Sequence, residues 1–326
     1  MPAACCGHLY RYDTAEKRMI HTITLNPAID KILSIGNFQP NCTNRIRKVR
    51  LCLGGKGSHI AYGLSLLGVR NRAYGIAFGH VGRQIMEALE SAGIEVAYDH
   101  YNSPESRTNY LLIDAQNNAT FLAEAGVSLT EEMTDHLFRR MEEGTDWGDA
   151  VAVAGDASNA KDGNIHQKLL EIVKRRRLKL YLDSSGEFLR KGIACRPYLI
   201  KPNLDELAEL ARRPVSSQEE VLEAISAFPE IPYILVSMGA RGWIFRGGGK
   251  RYRGFGLKVP VGNTAGCGDA LMSALLCRFE HTEEPLLDTL AFATAVSAAC
   301  AMCAETVGFD VEQAKRMQGD VVIQEI

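Results

Sequence analysis

The sequence predicts an α/β protein: a mostly parallel central sheet covered by helices on both faces, with a small second sheet formed by a β excursion. Three observations carry this. From Ala150 to Ser237 short strand-like runs alternate with helical patterns, which implies parallel pairing, right-handed crossovers and helices on both faces. Two small-residue turns, Gly54-Gly55-Lys56-Gly57 and Gly262 to Gly268, run straight into apolar helical patterns. Two other stretches, at about 31–53 and 100–124, alternate in short pieces with no helical period and are expected to join into a lid.

Composition sets the limits. At 326 residues the chain has room for two domains, or for one large α/β domain with an insertion. Apolar residues at 46%, charged residues at 23% and a formal net charge of -2 are ordinary globular values. They offer no basic field for nucleic acid and no acidic tail, so the expected partner is a small molecule. No run of about 18 apolar residues occurs, so no segment is expected to span a membrane. Nine cysteines, at 5, 6, 42, 52, 195, 267, 277, 300 and 303, are scattered in a chain without a secretory signal. That pattern points to reduced thiols in the cytoplasm. Cys300 and Cys303 have redox or metal spacing, but they lie in a small-residue helical run with no second ligand pair and read as packed thiols. Residues 1–18 read as an N-terminal extension, and Met19 as the start of one domain, 19–326.

The elements follow in order. Met19 to Leu25 has strand density and ends in the turn Asn26-Pro27, with Asp30 just beyond, where ligands gather in open α/β sheets. A turn or cap aspartate fits the same local pattern. After the first β excursion, the turn at Gly54 feeds a helix, Ser58 to Leu67, with Ile60, Leu64 and Leu67 on one face. This turn is neither a Walker loop, because Gly57 follows Lys56, nor a dinucleotide fingerprint. Ala73 to Phe78 and Gly93 to Asp99 read as strands around a helix, Val81 to Ser91; Ser106 to Ile113 and Ala119 to Glu124 flank a hairpin-like turn. Then come a helix from Thr130 to Gly144 and the alternating half, in which Ser216 with Glu219 reads as a helix cap. Arg175-Arg176-Arg177 is a solvated helix end.

Three stretches carry chemistry. Ala265-Gly266-Cys267-Gly268 has almost no side chain, so its N–H groups can crowd an anion at the start of the following helix, with Asp269 at its lip; an N-cap is the structural alternative. Asn203 and Glu206, three residues apart at a helix start, suit a hydrated Mg²⁺ or a capping box. Ser237 to Gly242 has the glycines with which a backbone skirts a nucleotide, and Lys56 stands ready for an anionic ligand.

Taken together these residues resemble the PfkB (ribokinase-like) family of carbohydrate kinases from Met19 onward. The resemblance rests on Thr24-Leu25-Asn26-Pro27-Ala28-Ile29-Asp30, Gly54 to Gly57, Leu199 to Leu207, Val236 to Gly242 and Asn263 to Asp269, in the family's order and approximate spacing. It is closest to the 1-phosphofructokinase and tagatose-6-phosphate kinase branch. The resemblance implies a three-layer α/β/α domain with a discontinuous β lid at about 31–53 and 100–124. It also implies ATP and Mg²⁺ as cofactors and a sugar phosphate as substrate. Asp269 would be the catalytic base, with Ala265, Gly266, Cys267 and Gly268 as the anion hole. Lys201, Asn203, Glu206, Ser237, Gly239, Gly242, Asn263 and Thr264 would bind nucleotide, with Asn203 and Glu206 reaching the metal through water. Asp30, Gly54, Gly55, Lys56, His59, Arg107 and Asn109 would bind the acceptor, and lids of this kind pair into homodimers.

Departures from the family fall on the acceptor side. His59 stands where most relatives have Asn, and Ala154 to Lys161, with Asp156, replaces a Gly-Ser-Leu-Pro segment; Cys267 replaces a small Ala and is expected to sensitise the site to thiol reagents. The expected activity is phosphorylation of a ketohexose phosphate, of the fructose 1-phosphate or tagatose 6-phosphate type. The rivals are a kinase of a neutral sugar or nucleoside and a non-catalytic sensor on the same fold. Lys56 and Arg107 argue against a neutral acceptor, and Asp269 argues against a sensor.

Overall fold

Strand β1 (Ile20–Thr24) is buried along its whole length and lies inside the larger of two sheets in the computed structural model, which describes residues 18–116, 118–155, 157–161 and 163–326. The extension read at 1–18 falls outside the described residues except for Arg18, as does Asp156. After β1 come β2 (Ala28–Ile35), β3 (Ile46–Gly54), α1 (Lys56–Leu66), β4 (Asn71–Phe78), α2 (Gly79–Ser91) and β5 (Glu95–Tyr101). β6 (Arg107–Ile113) and β7 (Ala119–Leu122) form a hairpin. The alternating half comprises α3 (Glu131–Glu143), β8 (Ala150–Gly155), α4 (Ile165–Arg176), β9 (Lys179–Ser184), α5 (Gly186–Gly192), β10 (Leu199–Ile200), α6 (Leu204–Ala211), α7 (Gln218–Ser226) and β11 (Tyr233–Ser237). A second hairpin, β12 (Trp243–Gly247) with β13 (Lys250–Gly254), leads to α8 (Cys267–His281), α9 (Leu286–Met302), α10 (Val311–Gln318) and β14 (Ile323–Glu325).

The large sheet has the order β14-β13-β12-β11-β10-β9-β8-β1-β4-β5. Every neighbouring pair from β11 to β5 is parallel, and β12, β13 and β14 add an antiparallel edge. Side-chain alternation builds the two flanking layers. On β8, Ala150, Ala152 and Ala154 face a core shared with α1, α8 and α9, while Val151 and Val153 face one shared with α3 to α7. The first layer packs closely: a Cβ on Gly63 of α1 would lie 2.4 Å from Ser273 Oγ of α8. Among the described residues no helix is long and apolar enough to cross a membrane.

The small sheet has the order β3-β2-β6-β7, with β2 parallel to β6 and antiparallel to β3. Its strands come from the two stretches read as the excursion, but β2 begins earlier, at Ala28, so Asp30 is a strand residue and not a turn residue; Tyr101 belongs to the large sheet. One cap is also displaced. Ser217, not Ser216, accepts from Glu220 N in a capping box, and Ser216 donates its N–H and hydroxyl to Glu220.

Candidate active site

Parallel strands end at one edge, and the chain's small-residue turns collect there. Gly266 is the N-cap of α8 with φ 83°, and a Cβ on it would lie 1.5 Å from Thr306 O, so only glycine fits. The turn before it is pinned from α9: Gly262 N and Asn263 N donate to Ala301 O, and Asn263 Oδ1 accepts from Ala265 N at 3.0 Å. Asn263 is thereby a buried organiser of the turn. In the first turn of α8 Cys267 N donates to Thr264 O and Asp269 N to Gly266 O, and the helix dipole points its positive end at this turn, so the start of α8 is suited to an anion. Lys201 adds a full charge there, since a Cβ on Gly268 would sit 3.2 Å from its Nζ. Asp269, on the first turn, is 6% exposed.

On one side of Asp269 lies a buried polar cluster carried by the small sheet, joined to it through His59. Asp30 on β2 accepts from Asn109 Nδ2 on the neighbouring β6 at 2.8 Å, and burial pushes its carboxyl above the usual range. Gly54 leaves it room: a Cβ there would meet Asp30 Oδ1 at 2.3 Å. Gly55, at φ 92°, turns β3 into α1, and Gly57 lies against Ile23 O. Arg107 donates to Asn26 O at 3.1 Å and Glu124 O at 3.3 Å, which holds it at the junction of the two sheets.

On the other side is a cluster of charges. Asp183, at the end of β9 and fully buried, receives Lys56 Nζ at 3.2 Å and Lys201 Nζ at 3.0 Å, which hold its carboxyl below the usual range against the cost of burial. Lys56 also donates to Glu206 at 3.2 Å. Asn203 and Glu206 form the capping box of α6, each side chain accepting from the other's N–H. Asn203 bridges to Ser237, which opens the turn to Gly242; Gly239 and Gly242 have φ 59° and 87°, and nothing lies within 4 Å of a Cβ on Gly239.

Two of the residues expected at the acceptor are engaged within the protein. Lys56, expected at the acceptor, places its ammonium among Asp183 and Glu206. His59, expected to face the sugar, uses both ring nitrogens internally, Nδ1 to Asp269 Oδ2 at 2.6 Å and Nε2 to Leu53 O at 2.8 Å. Within the divergent stretch Asn159 donates to Leu25 O and Val127 O. Asp183, an aspartate ending an apolar parallel strand at the sheet's carboxyl edge, is the residue around which the charged cluster assembles. Among the described residues no three His, Cys, Asp or Glu side chains converge as a metal site. Glu206 Oε1 accepts from Lys56 Nζ and Oε2 from Asn203 N, so this carboxylate fits a metal only as an outer contact.

The pfkB carbohydrate kinase family matches residues 22–312. The chain is 29% identical over 282 residues to D-tagatose-1-phosphate kinase of Klebsiella oxytoca, covering 86% of this chain and 91% of that one. It is 27% identical over 316 residues to 1-phosphofructokinase of Borreliella burgdorferi, covering 94% and 99%. The fold superimposes on phosphofructokinase-2 of Escherichia coli with a TM-score of 0.85 at 21% identity, over 93% of this chain and 99% of that one. With most of its length matched, the chain belongs to the pfkB family of carbohydrate kinases.

Proposed function

We propose that the chain transfers the γ-phosphoryl group of ATP to a hydroxyl of a ketohexose phosphate, with Asp269 as the base. The observation that carries this is the position of Asp269, between the hydrogen-bonded Asp30–Asn109 pair and the Lys201-flanked start of α8. Relatives named for tagatose 1-phosphate and tagatose 6-phosphate support the substrate class. Asp30 and Asn109 would orient the acceptor, and the acceptor oxygen would form the new P–O bond as the bond to ADP breaks, giving its proton to Asp269. In a loose phosphoryl transfer the protein mainly positions reactants and stabilises spreading charge, so a carboxylate of modest basicity suffices. Ala265 to Gly268, Lys201 and Lys56 would stabilise that charge. The turn Ser237 to Gly242, with Asn203, would hold the nucleotide. Glu206 and Asn203 would help hold Mg²⁺ through water, and the ion would supply charge neutralisation on the phosphates.

The small sheet would act as a lid, because it carries Asp30 and Asn109 and can move them with it. Its outer residues Ile46, Val49, Leu51, Phe121 and Leu122 are exposed and apolar, which supports a homodimer through the lid. One observation favours a second reading. With Lys56 engaged by Asp183 and Glu206, Arg107 is the remaining expected cation on the acceptor side, which leaves room for a neutral sugar.

ADP release measured over a panel of sugars and sugar phosphates decides between these. The proposal predicts turnover with ketohexose phosphates. Turnover of neutral sugars alone would establish the second reading, and binding without ADP release from any acceptor would overturn the enzyme reading.

A further inference from the structure

His59 stands on α1, 210 residues from Asp269 in sequence, and is 6% exposed. Its protonation state follows from its partners. Leu53 O is a carbonyl and can only accept, so Nε2 carries a proton; the same oxygen also accepts from Thr306 Oγ1 at 3.1 Å. At 2.6 Å, Nδ1 and Asp269 Oδ2 share one more proton. While Asp269 is ionised, and so able to act as a base, that proton is on Nδ1 and the ring is an imidazolium. Nε2 also lies 3.7 Å from Asp30 Oδ2, so one cation stands between two buried carboxylates.

We propose that His59 is a positioning residue, a charged clamp that holds Asp269 by Oδ2 and ties it to Asp30. This rests on the reading of Asp269 as the base. Oδ1 of Asp269 is then the oxygen that the clamp does not hold and that receives the proton from the acceptor. The groups facing the ring are Asp30 from β2, Leu53 O from β3 and Asp269 from α8. Further out, Lys56 on α1 acts on Asp269 and Arg107 on β6 acts on Asp30, while the Cys52 thiol of β3 is pushed up by burial. Burial alone would strip the ring of its proton, but the bond to Asp269 and the charges of Asp269 and Asp30 lift His59 to about 9.

The sign of the pH effect follows. Above about pH 9 the ring turns neutral, its Nδ1 lone pair faces Asp269 Oδ2, and the clamp opens, so kcat falls on an alkaline limb. An amide at position 59 keeps a donor without the charge. In His59→Asn the alkaline limb disappears, and the acid limb of kcat moves up because Asp30 loses the cation that favours its charged form. The test is kcat and KM for ADP release between pH 5 and 10 for both proteins, together with ¹⁵N NMR of histidine in the full-length wild type and Asp269→Asn. The expected results are the two limb shifts, a kcat loss of about tenfold, and a His59 signal doubly protonated at pH 8 that titrates lower in Asp269→Asn. The idea is overturned by an unchanged pH profile in His59→Asn, or by a His59 ring already neutral at pH 8. The NMR arm needs no turnover, so it reads the clamp even if the kinase reading fails, and it needs no stable position-59 variant.

Discussion

Gly266→Ala gives the most direct handle on the start of α8. At φ 83° an L-residue costs about 1–2 kcal/mol. The larger effect is steric: the new Cβ would lie 1.5 Å from Thr306 O and 2.6 Å from Thr306 C, both backbone atoms that no rotamer change can clear. Ordinary contact begins at about 3.4 Å, so the turn and the segment after α9 must part by about 2 Å. That displaces the start of α8, which carries Asp269, and it pushes on Thr306, whose hydroxyl supports Leu53 O. Misplacing reacting groups by about 1 Å costs on the order of 100-fold. We therefore expect kcat for ADP release to fall about 100-fold, with a loss of a few degrees in Tm from about 1–3 kcal/mol of strain. Gly93→Ala is the control: φ is 76°, nothing lies within 4 Å of its Cβ, and activity should be unchanged. A Gly266→Ala protein with kcat within threefold of wild type would refute the argument that this turn is fixed by contact with Thr306.

Three further outcomes follow from the geometry. Gly54→Ala drives a Cβ to within 2.3 Å of Asp30 Oδ1 and should raise the acceptor KM about tenfold while leaving the ATP KM alone, as initial-rate kinetics would show. Lys201→Met removes one of two cations from buried Asp183 and should cost about 3 kcal/mol, the low end for breaking a buried pair because Lys56 remains. Asp183's lowered carboxyl contributes stability that is full above the ordinary carboxylate range and is lost as pH falls through its folded value, so in Lys201→Met acid unfolding, followed by circular dichroism, should begin at a higher pH. Leu51→Asp, on the exposed face of the small sheet, should convert a dimer to a monomer in sedimentation; an unchanged mass would remove the lid as the interface.

The fold was legible where local rules agree. Apolar runs such as Leu178 to Leu182, ended by Asp183 and followed by helical periods, can only be parallel strands with crossovers, and that half of the chain folds as its pattern dictates. The antiparallel edge was missed because Lys250-Arg-Tyr-Arg is strand-like but charged, and β14 is short and largely exposed. Asp30 was misplaced at a turn because Asn26-Pro27 signals one so strongly, although the strand resumes at once. In the site, local motifs located the glycine turns and the Asn203–Glu206 box. They said nothing of partners 127 to 150 residues apart, which is where Lys56 meets Asp183 and Glu206. The same separation hid the role of His59: a histidine on an apolar helix face carries no local mark of the two carboxylates that charge it.

If Asp269 is the base at the start of α8, replacing its carboxylate by an amide is the most direct test. Asp269→Asn keeps the shape and removes the charge, so kcat for ADP release with the best ketohexose phosphate is the measurement to make. The account predicts a fall of about 10²–10⁴-fold with ATP and acceptor still bound. A kcat within tenfold of wild type would contradict it.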